Sequence, residues 1–123
     1  MLELHIKSFL ELYGEFLVFP DKVQGYCDEY SMAFLERVGQ GYLLCCGIPK
    51  REPTIGYRFW GNPESISHYV AVVGETVIDF TARQFWHDCE VPMIFTKQQF
   101  EELWDDIAWD CDARTDLKLD GLI

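Results

Sequence analysis

Apolar residues recur at helical spacing in two stretches near the start of the chain. Leu2, Ile6, Phe9, Leu10 and Tyr13 share one face of a helix over residues 2 to 13, which Gly14 should stop. GEFLVFPD reads next as a short extended piece ended by Pro20-Asp21. From Tyr26 to Val38 a second stripe forms from Tyr30, Ala33, Phe34 and Val38. Asp28 and Glu29 suit the first turn of that helix and Arg37 suits its last. Gly39 and Gly41 end it, and YLLCC follows as a buried strand. Residues 47 to 65 hold three prolines and three glycines, loop chemistry around a possible short strand, IGYRFW; so long a connection in a compact domain often serves as a functional lid. SHYVAVVGETVIDF then reads as a β-hairpin, ARQF as a short turn and VPMIF as a further strand. Thr96 with Gln99 is a capping box that opens TKQQFEELWDDIAW, with Phe100, Leu103, Ile107 and Ala108 on one face. The acidic residues past Trp109, 110 to 123, are expected to be a mobile tail. The elements predict an α+β domain of two or three helices on a small, mainly antiparallel sheet.

At 123 residues and 49% hydrophobic composition the chain has material for one domain, 1 to 123, with its own core. Its 10 basic residues stand against 21 acidic ones, a formal charge of −11. That charge repels phosphate backbones and anionic lipid, so nucleic-acid and membrane partners are disfavoured and a basic protein partner is favoured. No apolar run approaches the roughly 20 residues of a membrane span. The N-terminus intersperses charges among its apolar positions, unlike a signal peptide, which points to a cytoplasmic setting. Five cysteines (27, 45, 46, 89 and 111) make an odd number with no CxxC pair, which fits reduced thiols better than a disulfide framework or a zinc site. Cys45 and Cys46, in YLLCCGI, read as small core residues. His87 and Cys89 lack further ligands nearby, so neither a metal nor a cofactor is expected.

The hairpin carries the chemistry. Gly74-Glu75 is a Gly-first two-residue connection, the kind that favours a type II′ turn. If Val73 pairs with Thr76, Val72 faces Val77 and Val70 faces Asp79. His68 and Asp79 then become diagonal neighbours on one face, roughly 7 to 8 Å apart at the backbone. A one-residue slip would put them on opposite faces. Such a pair either satisfies itself as structure or forms two thirds of a catalytic site, the carboxylate orienting an imidazole whose other nitrogen moves protons. Cys27, at the start of the second helix, is the best third member. The free N–H groups and dipole there favour thiolate, and a neighbouring imidazolium adds to the effect, although Asp28 and Glu29 oppose it.

In this order Gly25-Tyr26-Cys27, Ser67-His68-Tyr69-Val70 and Val77-Ile78-Asp79-Phe80-Thr81 resemble the Cys…His…Asp core of the papain-like and transglutaminase-like superfamily. VAVVGETVIDFTARQF is especially similar to small papain-fold toxin and effector domains, where Asp-x-Thr and Arg-Gln-Phe follow the His strand. The likeness runs from Gln24 to about Ile94. It implies a papain-like core with Cys27 as nucleophile, His68 as base and then acid, and Asp79 as orienter. It also implies thioester chemistry on an amide. Gln24 is the upstream glutamine available as oxyanion donor, though it stands nearer the Cys than in papain-like peptidases. The chain has no room for a second lobe forming a peptide groove, which favours a compact site for an exposed side chain. The expectation is a protein (glutamine) deamidase or related effector, held inside its producer or delivered into another cell. A cysteine peptidase, or an acidic non-catalytic binding or inhibitor protein on the same scaffold, are the alternatives. Tyr57, Phe59 and Trp60 are candidates to line the entrance or to pack in the core. Trp86, Trp104 and Trp109 are expected in packing roles.

Overall fold

The computed structural model describes residues 1–23, 25–51, 68–119 and 121. Helices α1 (Leu2–Leu17), α2 (Pro20–Val23) and α3 (Cys27–Val38) precede strands β1 (Tyr42–Cys46) and β2 (Ile48–Pro49). The hairpin strands β3 (His68–Val73) and β4 (Thr76–Asp79) lead through a 3-10 turn, Ala82–Gln84, to β5 (Met93–Thr96). Helix α4 (Lys97–Leu103), the short strand β6 (Trp104–Asp105) and helix α5 (Ala113–Leu119) complete the described elements. The main sheet is antiparallel in the order β1-β3-β4-β5, and β2 pairs with β6 in a separate two-stranded ribbon. The fold class is α+β, as the hydrophobic pattern predicts.

Both faces of the sheet are covered, which is why Val70 to Val73 and Val77-Ile78 are apolar without alternation. One face carries Leu43, Ala71, Val73 and Ile78 against Phe9 of α1 and Phe34 and Leu35 of α3. The other carries Leu44, Val70, Val72 and Val77 against Phe85, Trp86, Phe100 and Trp104. The hairpin register is the one the turn chemistry predicts: Ala71 pairs with Ile78, Val72 with Val77 and Val73 with Thr76. Gly74 takes φ +61°, the positive first-turn dihedral that glycine supplies without steric cost. Gly41 answers a different need. With φ +101° it brings the backbone so close to β3 that a Cβ would lie 2.3 Å from the Val72 carbonyl oxygen.

Three local expectations are corrected. Helix α1 runs through Gly14 to Leu17, and Pro20 opens α2 instead of ending a strand. A missing Cβ costs a helix about 1 kcal/mol, and full burial of Leu17 outweighs it; proline at the first position of α2 gives up no helical hydrogen bond. Helix α4 has its capping box, with Thr96 Oγ1 accepting from Gln99 N at 3.1 Å, but it ends at Leu103 and leaves out Ile107 and Ala108. There the chain turns extended, so that Trp104 pairs with Pro49 and enters the second core. The third concerns residues 110 to 123, expected as a mobile tail. Ala113 and Leu117 of α5 are instead buried in the first core, and Asp112 Oδ1 accepts the Leu43 N–H at the outer edge of β1. Arg114 donates to the Gly41 carbonyl at 2.9 Å and to Asp112, so polar groups of this segment also close that sheet edge. The expected strand IGYRFW, with Tyr57, Phe59 and Trp60, lies outside the described residues. Among the described residues no helix is long and apolar enough to cross a membrane.

Docking of α5 is testable in solution. Leu117→Ala should lower unfolding stability by about 2–3 kcal/mol in a denaturant titration, because it empties a core position. A free tail would give no change.

Candidate active site

Residues far apart in sequence meet where β3 begins. The antiparallel register places His68 directly opposite Cys46 of β1 and on the sheet face of Val70 and Val72. Asp79, two residues beyond Val77 on β4, projects from the same face. The diagonal neighbours are joined: His68 Nε2 lies 2.7 Å from Asp79 Oδ2, with both side chains buried. The second carboxylate oxygen, Oδ1, accepts the Thr81 N–H at 3.0 Å, so the turn after β4 fixes the acid's orientation. Two aromatic rings fix the base. Trp104 stacks on the imidazole at 4.8 Å and 19°, and Phe85 meets it edge-on at 4.9 Å.

Cys27 is the first residue of α3, and the N-cap residue Tyr26 makes no side-chain cap. One turn on, Ser31 Oγ donates to the Tyr69 carbonyl at 3.2 Å, pinning the start of the helix to the start of β3. Cys27 lies close enough to the His68 ring to help raise its pKa. Nε2 is taken by Asp79, and Nδ1 has Gln84 Nε2 3.5 Å away. Of the three residues named from the sequence, His68 and Asp79 are hydrogen-bonded and Cys27 lies within electrostatic reach of the ring. Gln24 lies outside the described residues.

The electrostatics follow from burial and pairing. Complete burial opposes a charge on His68, but the Asp79 carboxylate and its hydrogen bond outweigh it, with help from Cys27, and push the imidazole up to about 10. At neutral pH His68 is therefore a cation paired with the Asp79 carboxyl group. Burial, then Asp79, pushes the neighbouring Cys46 thiol well above its ordinary range, so Cys46 stays a neutral packing residue beside the pair. Cys27 itself is 5% exposed.

Gln84 was missed as a site residue. Its side chain is buried, and Nε2 donates to Thr81 Oγ1 at 3.1 Å and lies 3.5 Å from His68 Nδ1. Its Oε1 has no hydrogen-bond partner among the described residues. The signal was present as a neutral amide next to Phe85 and Trp86, five residues after the acid. Trp104, expected to pack, is buried in the second core and stacks on the imidazole. Among the described residues no cluster of His, Cys, Asp and Glu could hold a metal ion. No family model matches the chain, and no curated protein or solved structure matches it significantly.

The ion pair predicts a pH signature. A histidine raised from 6.5 to about 10 contributes stability fully present below pH 6.5 and lost as pH rises through 10. Between about pH 6.5 and 8.5 the wild type should lose on the order of 2 kcal/mol through this group. Asp79→Asn removes the anion, and burial then favours the neutral ring, so the decline over that window should vanish. Urea titrations of both proteins across the range check this; parallel curves would contradict it.

Proposed function

We propose that this chain is a cysteine-dependent amidohydrolase of the papain-like and transglutaminase-like kind, working through a thioester intermediate on a protein side-chain carboxamide. The observation that carries the reading is the buried His68–Asp79 pair, with Cys27 at the start of α3 close enough to act on the imidazole. A sulfur beside a buried imidazolium is placed to act as a nucleophile with the imidazole as its proton partner. The Cys27 sulfur adds to the carboxamide carbon, and the carbonyl oxygen becomes an oxyanion. The uncapped N–H groups at the start of α3 and the Gln84 amide stand on the thiol side of the imidazole to receive it. His68 passes its proton to the departing nitrogen, ammonia leaves and an acyl-Cys27 thioester remains. Water then attacks the thioester while His68 takes its proton. The C–S bond breaks, a carboxylate is released and the thiol is restored. Asp79 holds the ring in place and stabilises its charge at both stages.

Substrate reaches the sulfur when the cover over Cys27 opens, since that side chain is 5% exposed. A glutamine carboxamide on a flexible protein segment is a substrate slender enough for such an opening. The charge of −11 favours a basic protein.

Incubation with a panel of basic proteins, read by intact mass and ammonia release, tests the proposal. The wild type should add about one dalton per modified site, and Cys27→Ala should add none. Gln84→Ala should lower kcat by about 10²–10³ while leaving the protein folded. Peptide fragments in place of the one-dalton gain would reassign the chain to peptidase chemistry. A mass gain that survives Cys27→Ala would overturn the thiol mechanism.

A further inference from the structure

We propose that a cleft between α1, α2 and α3 is a docking site for an arginine side chain presented by a protein partner. The cleft is an open one of about 560 Å³, lined by the aromatic rings of Tyr13, Phe16, Tyr26 and Tyr30 together with Asp21, Glu29 and Lys22. It is separate from the Cys27–His68–Asp79 cluster. It begins at Tyr26, the residue before Cys27, and runs along a different face of α3.

The walls are not core that happens to show. Phe16 is 38% exposed and Tyr26 48%, so both rings present apolar surface to solvent. Inside, Tyr13 meets Tyr30 edge-on at 5.9 Å, which fixes the floor. Aromatic faces are electron-rich and two carboxylates stand beside them, so the site favours a cation that also has a flat surface to stack. A guanidinium meets both demands: it stacks on rings and offers a fork of N–H donors to a carboxylate, whereas an ammonium does only the electrostatic part. Burial, then Glu29, Tyr13 and Tyr26, raises the Tyr30 hydroxyl above its ordinary range, so the floor stays neutral and no tyrosinate forms there.

The chain supplies its own indication that this rim takes cations. Lys22 Nζ sits 5.4 Å from the centre of the Phe16 ring and 5.9 Å from that of Phe19. It is an exposed residue of α2, resting over aromatic faces with a cleft beneath. An incoming guanidinium would displace that lysine or share the rim with it. The overall charge of −11 steers a basic segment toward the molecule from a distance, and the cleft gives one residue of that segment a place to settle. Binding requires no thiol chemistry, so the inference stands apart from the enzyme reading.

The test is NMR titration of the intact protein with a short neutral peptide carrying one arginine. Matched peptides carry citrulline or lysine. Shifts of the Tyr13, Tyr26 and Tyr30 ring signals should report saturable binding by the arginine peptide, several-fold tighter than by the lysine peptide, with none by citrulline. Asp21→Asn with Glu29→Gln, both on exposed side chains, should weaken it about fivefold or more. Lys22→Ala should tighten it about two- to threefold, while Lys118→Ala, which changes the net charge equally on another helix, should not. Cys27→Ala should bind like the wild type even though the thiol is gone. The inference is overturned if arginine and citrulline peptides behave alike, if lysine binds as tightly as arginine, or if Lys22→Ala and Lys118→Ala act equally. It is also overturned if no tyrosine signal moves by roughly 50 mM peptide.

Discussion

A buried imidazole bonded at 2.7 Å to a buried carboxylate organises this molecule. Neither group survives alone in an apolar interior, because an unpartnered buried charge costs several kcal/mol. The pair therefore constrains everything that determines its geometry. Only the Val73–Thr76 register puts the two residues on one sheet face, and Gly74 provides the turn that sets this register. The Thr81 N–H satisfies the carboxylate's other oxygen, so the chain must turn immediately after β4. Arg83 holds that turn in place, donating to the Cys89 carbonyl and to the Val18 carbonyl at the end of α1. Trp104 and Phe85 complete the slot, and Trp104 arrives there because α4 stops one residue earlier and β6 begins.

The two-core arrangement explains how a helix on one side of the sheet reaches a histidine on the other. Helix α3 packs on the face of Ala71 and Val73, while His68 points toward Val70, Trp104 and Phe85. They meet because His68 is the first residue of its strand and Cys27 the first of its helix. At the sheet's end a thiol can reach round the strand terminus, and the Ser31–Tyr69 hydrogen bond holds it there. His68 is itself as fully buried as Val70, and Cys27, at 5%, is only slightly more exposed.

What could be read from the sequence was local or periodic. The hairpin register followed from a Gly-first turn between β-branched runs, and the face shared by His68 and Asp79 came with it. Thr96 and Gln99 announced the start of α4 through a reciprocal hydrogen-bond pattern that needs no tertiary information. Features decided by distant partners were not legible. Gly14 looks like a stop until Leu17 is seen buried against the sheet. Leu103-Trp104 looks helical until Pro49 is available to pair. The acidic C-terminal residues look solvated, yet Asp112 and Arg114 find backbone groups of β1 that only the folded edge presents. Gln84 is the instructive miss: its polarity was visible, but its place beside Nδ1 depends on how the 3-10 turn folds back on the hairpin.

The account rests on His68 activating the Cys27 sulfur, and the rate at which iodoacetamide alkylates each cysteine measures that coupling directly. At about pH 6 Cys27 should react faster than the exposed Cys111 despite its burial, and His68→Ala should abolish that advantage. If Cys27 reacts no faster than Cys111, or reacts identically with and without His68, the thiol and the imidazole are neighbours in packing alone.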